Sequence, residues 1–372
     1  MNAIPPRRRI RRRIGLHQET VHEHRSFRLA DQPLRRRLLG GAALAFAAGP
    51  MGAIGPALAA PASVRAAPAS AGKPVWGPLR QIDAGVLRVS YAQMGPEDGP
   101  PVLLLHGWPY DIHTYAEVAP LLAAKGYRVI VPYLRGYGST TFLSADTPRN
   151  GQQAALATDA IALLDALHID KAIFAGCDWG ARTADIMAAL WPQRCQGLVS
   201  VSGYLIGSQQ ANQAPLSPKA ELQWWYQFYF ATERGRLGYE KNRSEFSRLI
   251  WQLASPQWRF DDATFLRSAA AFDNPDHVAV VIHNYRWRLG LAEGEKRFDE
   301  MEARLARMPD IGVATITLEG DANGAPHPPS SAYASKFTGK YAHRLIGGGI
   351  GHNLPQEAPA AFAQAVVDVA AF

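Results

Sequence analysis

A mostly parallel α/β sheet covered on both faces, with a helical block inserted late in the chain, is the fold class this sequence predicts. Three observations predict it. Short apolar runs without polar alternation, such as Pro101–Leu105 and Lys171–Gly176, alternate with segments of helical periodicity, the pattern of strands buried on both sides. Between one such run and a helical segment lies Gly176-Cys177-Asp178-Trp179-Gly180, with small residues two before and two after an aspartate. That spacing permits a sharp strand-to-helix turn that thrusts the central side chain clear of the backbone. Finally, from Tyr204 to about Met308 the chain becomes rich in Trp, Tyr, Phe and Arg and loses its strand-like runs.

Taken in order, the 372-residue chain opens on a basic lead. Residues 1–59 hold eleven arginines, no lysine and only Glu19, Glu23 and Asp31, so this segment accounts for the positive excess behind the formal charge of +7. The rest is nearly neutral, which gives no electrostatic case for nucleic acid or an anionic membrane as partner. Arg35-Arg36-Arg37 precedes a weakly apolar stretch, Leu38–Ala60, that ends in Ala57-Leu58-Ala59-Ala60. A positive region, a modest apolar region and a small-residue cleavage site read as a signal peptide. The paired arginines point to the twin-arginine export machinery and a periplasmic or secreted location. Gly40, Gly41, Gly49, Pro50, Gly52, Gly55 and Pro56 make the same stretch a poor membrane anchor. An Ala/Pro-rich linker covers 60–75.

The body starts at residue 76. Leu79–Met94 reads as a hairpin turning at Asp83-Ala84-Gly85, followed by a strand at Pro101–Leu105. A helix from about Thr114 to Ala124 and a strand at Tyr127–Pro132 come next. Gln152–Leu167 carries an apolar stripe at Leu156, Ala160, Leu163, Leu164 and Leu167, the spacing of a helix. Lys171–Gly176 leads into the aspartate turn, Ala181–Leu190 leaves it as a helix stopped by Pro192, and Gly197–Ser202 is a further strand. Beyond the helical block, strands resume at Val313–Leu318 and Tyr341–Ile346, and a helix at Pro355–Phe372 closes the chain. The sheet domain is therefore expected in two parts, 76–203 and 309–372. The block at 204–308 is a cap over the strands' carboxyl ends, where such sheets bind ligands. Only Cys177 and Cys195 occur, and two isolated thiols indicate neither a disulfide framework nor a metal site. No cofactor is indicated, and nothing in the sequence specifies an oligomeric state.

Asp178 sets the chemistry. A serine at such a turn attacks carbonyl carbon, whereas a carboxylate suits displacement at saturated carbon, leaving an alkyl ester that water then cleaves. The expected substrate is a small hydrophobic epoxide or alkyl halide.

His106-Gly107-Trp108-Pro109, Gly176-Cys177-Asp178-Trp179-Gly180 and the late Gly351-His352, in that order around a helical insert, resemble the α/β-hydrolase superfamily. Within it they are most similar to the epoxide hydrolase and haloalkane dehalogenase branch. The resemblance covers essentially all of 76–372 and implies the α/β-hydrolase fold. It implies Asp178 as nucleophile, His352 as general base for the hydrolytic water, and the Trp108 and Trp179 amides as the oxyanion hole. It also nominates Tyr226 and Tyr285 in the cap as donors to the epoxide oxygen, with Tyr229 the nearest rival to the first. A halide leaves as an anion and needs only N–H donors, so these tyrosines would favour an epoxide, with a haloalkane as the alternative. Trp179 speaks against the fluoroacetate-type enzymes, which commonly have arginine there. One position departs from the pattern. The family's orienting acid is expected at Asn323, within Leu318-Glu319-Gly320-Asp321-Ala322-Asn323-Gly324. Either Asp321 orients His352 from a shifted loop or Asn323 does so without charge. That departure keeps open a third reading, a ligand-binding or single-turnover protein on a hydrolase scaffold.

Overall fold

Strand β6, Ala172–Gly176, is buried at every position, so it requires cover on both faces. In the computed structural model, which describes residues 76–372, two helix pairs pack against the sheet that contains it. Gln153–Ala166 pairs with Trp179–Leu190, and Val118–Ala123 pairs with Pro359–Ala370. The expected signal peptide and linker lie outside the described residues.

The other strands are β1 (Arg80–Ala84), β2 (Leu87–Met94), β3 (Pro101–Leu105), β4 (Arg128–Pro132), β5 (Thr141–Phe142), β7 (Cys195–Val201), β8 (Thr315–Gly320) and β9 (Tyr341–Ile346). They form one sheet in the order β1-β2-β4-β3-β6-β7-β8-β9, with β5 paired to β2. The pairings are parallel from β4 to β9 and antiparallel around β2. Chain direction across the sheet reverses at β3, which lies between β4 and β6. Leu105 at the end of β3 is in register with Gly176 at the end of β6. The segments leaving these two strands, His106–Pro109 and Cys177–Gly180, therefore emerge side by side at the switch point, where open α/β sheets bind ligands.

Between β7 and β8, residues 209–305 carry the helices of the cap. Trp225–Phe230 and His277–Arg288 present Tyr226 and Tyr285, and Arg243–Ala254 contributes the wall opposite. Aromatic rings from the first two of these helices pack onto Trp108 of the sheet domain, which gives the cap a dense seam.

Two expected elements are divided. The expected Thr114–Ala124 helix is a single turn at Ile112–Tyr115, capped by the Asp111 side chain, followed by Val118–Ala123. The expected terminal helix breaks at Ala358 into Leu354–Glu357 and Pro359–Ala370. Pro359 lacks an amide donor and drives Ala358 out of helical geometry, to φ −137° and ψ 60°. The break matters for the site because it leaves Glu357 beside the His352 loop. Both cysteines are buried and free.

Candidate active site

Asp178 occupies a conformation that its neighbours impose. Its φ of 56° and ψ of −121° are unfavourable for a residue with a side chain, and they appear where a tight turn over-determines the backbone. The flanking glycines show how tight it is. A Cβ on Gly176 would collide with the backbone of Gly180, and one on Gly180 with the carbonyl of Leu105. Gly107 has the same role toward the nucleophile, since a Cβ there would collide with the Asp178 side chain.

The carboxylate is held at both oxygens. The Trp108 amide donates to Oδ1 at 2.8 Å, and His352 Nε2 lies 3.5 Å from Oδ2. The Trp179 amide is the first N–H of helix Trp179–Leu190, a group without an intrahelical acceptor. Burial opposes ionisation of Asp178, but His352, the Arg182 charge and the Trp108 amide outweigh it and hold the carboxyl below its ordinary value. For His352, burial favours the neutral ring. Asp178 first, then the charges of Glu319 and Glu357, overcome it and raise the imidazole above its usual value.

Backbone and carboxylate contacts fix the histidine loop. Glu357 accepts from the amides of Gly351 and Asn353 and from Ser255 Oγ, and Ser255 Oγ in turn accepts from the His352 amide. Arg182, Glu357 and Ser255 were not singled out in the sequence. Only Arg182 had a readable signal, as the residue one helical turn after Asp178.

Neither candidate acid reaches His352. Asp321 points the other way and accepts from the amides of Gly348, Gly349 and Ile350, closing the glycine turn ahead of the histidine. Asn323 donates to Glu319 Oε1 at 2.7 Å and to Ser202 Oγ, and accepts from the Ala325 amide. Their short side chains are consumed by loop geometry, and His352 Nδ1 is left buried with no bonded partner. His343 and His283 are engaged away from the site, His343 with Thr317 and His283 with Gly151 and Glu293.

Above the carboxylate, the ring centroids of Tyr226 and Tyr285 lie 5.4 Å apart. Burial, followed among other causes by the Asp178 charge, pushes both phenols above their ordinary value, so they stand as O–H donors. Tyr229 is turned aside, stacked on Phe246 with its hydroxyl against Gly238. The indole N–H groups of the two oxyanion-hole tryptophans are already committed. Trp108 donates to Tyr239 Oη at 2.9 Å, and Trp179 to Tyr285 Oη at 3.3 Å. A cavity of about 520 Å³ opens onto Asp178, Tyr226 and His352, with Trp225, Ile250 and Leu253 among its largely apolar walls. Among the described residues no cluster of His, Cys, Asp or Glu could hold a metal ion.

A carboxylate at a strand–helix elbow, an amide on one oxygen, a late histidine on the other and a capping helical block define a hydrolase-type site in which a carboxylate occupies the nucleophile's position. Comparison with known proteins agrees with that class. Residues 100–237 match the family described as alpha/beta hydrolase fold. The structure of a candidate epoxide hydrolase from Klebsiella pneumoniae is 64% identical, with TM-score 0.79, covering 79% of this chain and 97% of that one. Epoxide hydrolase B of Mycobacterium tuberculosis is 32% identical over 151 residues, 37% of this chain and 42% of that protein. A fluoroacetate dehalogenase from a Burkholderia species is 38% identical over 110 residues, 29% of this chain and 35% of the relative. The chain thus spans about two fifths of the length of the first of these curated relatives. It belongs to the α/β-hydrolase superfamily, on its epoxide hydrolase branch.

Proposed function

We propose that this protein opens small hydrophobic epoxides to vicinal diols. The observation that carries the reading is a cavity onto which Asp178 and the Tyr226 phenol both open, with Tyr285 packed beside Tyr226, while the indole N–H groups of Trp108 and Trp179 are taken up by tyrosine hydroxyls. A departing halide would need those N–H groups free. An epoxide oxygen needs an acid, and the tyrosines can supply it.

Asp178 Oδ2 forms a bond to an epoxide carbon, that carbon's bond to oxygen breaks, and the developing alkoxide takes a proton from a tyrosine hydroxyl. Esterification removes the Asp178 charge, so the strongest influence favouring imidazolium is lost and His352 releases its proton, leaving the neutral ring that the next step needs as proton acceptor. Water then adds to the Asp178 carbonyl carbon and gives its proton to His352 Nε2, while the Trp108 and Trp179 amides hold the oxyanion. Collapse expels the diol oxygen, which recovers the proton from His352. The carboxyl proton returns to the tyrosinate, and the net change is epoxide plus water to diol.

A single turnover of styrene oxide in heavy-oxygen water tests this. The label is expected in the Asp178 carboxyl and not in the first diol released, and label passing directly from solvent to diol rejects the mechanism. Many turnovers per protein would also separate the reading from a single-turnover protein.

For the amino-terminal segment we propose twin-arginine export to the periplasm or beyond, supported by Arg35-Arg36-Arg37, the weakly apolar stretch after it and the Ala-rich cleavage site. Replacing Arg35, Arg36 and Arg37 together by lysine should retain full-length protein in the cytoplasm, and unchanged fractionation would dismiss the proposal.

A further inference from the structure

Among the buried polar atoms that lack a bonded partner, two near the nucleophile are complementary. One is His352 Nδ1, the ring nitrogen away from Asp178. The other is Glu319 Oε2, on a residue only 6% exposed, next to last in strand β8. With Nε2 serving as base, the neutral ring must carry its proton on Nδ1, which makes that atom a donor. A buried donor and a buried carboxylate oxygen, both unpaired, are each costly to leave so.

The backbone brings them together. A Cβ on Gly320, the residue after Glu319, would collide with the carbonyls of Ile350 and Gly351, directly ahead of His352. The Ala322 amide donates to that same Ile350 carbonyl at 2.8 Å. The end of β8 is therefore pressed against the histidine loop. Glu319 is held there by its other oxygen, which accepts from Asn323 Nδ2 at 2.7 Å. Asn323 stands where relatives are expected to place the acid, and here it secures an acid four residues earlier instead.

We infer that Glu319 is the positioning carboxylate of this site, selecting the Nδ1–H tautomer of His352 and stabilising the imidazolium that forms as water attacks the Asp178 ester. The inference rests on the ester mechanism proposed above for its catalytic consequence, but the coupling of Glu319 to His352 does not depend on it. The two atoms share no hydrogen bond, so in the resting protein the coupling is electrostatic. The Glu319 charge is among those that raise the imidazole. The other carboxylates facing His352 are Asp178 and Glu357. Asp178 lies at Nε2, and Glu357 spends both oxygens on the loop. Tyr110 presents its ring and keeps a buried hydroxyl without a partner, and Cys177 Sγ donates to the His352 carbonyl. Around Glu319 itself, His327 Nε2 lies 3.9 Å from the oxygen that Asn323 holds, and Tyr333 and His343 both sense its charge.

The test uses the full chain and two readouts. The His352 ring is titrated by NMR, identified by its loss in His352→Gln. The alkylated enzyme is followed by intact mass after mixing with styrene oxide. Glu319→Gln keeps the acceptor for Asn323 and removes only the charge. It should lower the His352 midpoint by about one pH unit, the order expected for a unit charge several ångströms away in a partly buried site. Ester hydrolysis should slow by roughly 10- to 100-fold, less than the ~10⁴ lost when a directly bonded orienting carboxylate is removed. Ring opening should keep its rate, so the adduct accumulates. Glu319→Asp should restore most of both effects, and Asp321→Asn should leave the midpoint unmoved. An unchanged midpoint in Glu319→Gln overturns the inference, as does an unchanged adduct lifetime. If the wild type forms no adduct, the epoxide reading fails, while the titration still decides whether Glu319 and His352 are coupled.

Discussion

The nucleophile and the base of this site are held in different ways. Asp178 is placed by backbone against backbone: Gly176 on Gly180, Gly180 on the Leu105 carbonyl, and a φ of 56° that the turn enforces. His352 is placed by side chains from distant segments. Asp321 closes the glycine turn before it, Glu357 gathers the amides on either side, and Ser255 of the cap accepts its own amide. A short motif can encode the first arrangement, because contacts that exclude a Cβ leave glycine as the only choice. The second is spread over many weaker contacts, each replaceable, so it leaves little pattern to read.

The largest effect should come from breaking the rigid side. Gly180→Ala drives a methyl into the Leu105 carbonyl, so Asp178 alkylation should fall below detection by intact mass. Stability should drop by about 1–3 kcal/mol, the usual cost of overpacking, read from thermal melting. Near-normal alkylation would mean the elbow is not the rigid element described.

Next, Tyr226→Phe with Tyr285→Phe removes the donors above the carboxylate. Diol formation should fall by roughly 10²–10³-fold or more, the cost of losing a donor to developing negative charge. Hydrolysis of any ester that does form should keep its rate. If a haloalkane were processed equally by wild type and double variant, the dehalogenase alternative would gain.

The two regions should also separate by pH. Asp178 is held below the ordinary carboxyl value, so it stays ionised and alkylation continues in moderately acidic solution. His352 is raised and acts as base only when neutral, so ester hydrolysis should rise with pH and level off once the ring is deprotonated. Below that plateau and above the Asp178 midpoint, the alkyl-enzyme should build up, visible by acid quench and mass analysis. Because the ester lacks the Asp178 charge, the midpoint for hydrolysis should lie below that of His352 in the free enzyme. Hydrolysis independent of pH across this range would remove His352 as base.

The smallest effect should come from loosening the base side at one of its several contacts. Asp321→Ala frees three amides of an exposed turn and should cost about 0.5–1.5 kcal/mol per bond at most. Because Glu357 and Ser255 still hold the loop, turnover should fall only a few-fold. A collapse of activity would show that the support is not shared.

Much of the sheet was legible because strands buried on both faces must be apolar throughout, as Val102–Leu105 and Ala172–Gly176 are. Less legible was where a helix divides. Pro359 lies inside a run whose periodicity otherwise continues, and only the observed geometry of Ala358 shows the break. In the cap, the family resemblance left Tyr229 as a rival to Tyr226. Packing separates them, since Phe246 and Gly238 provide a slot for Tyr229.

The sequence by itself determined the fold class and the reactive group. Both follow from short-range rules, burial periodicity for one and the steric demand of a five-residue turn for the other. Tertiary structure alone decided what surrounds that group. It committed both indole N–H groups to tyrosines, turned Asp321 and Asn323 to loop building, and left Glu319 and His352 with one free atom each. Which polar atoms remain unsatisfied depends on every other bond made in the interior, and no local stretch of chain contains that information.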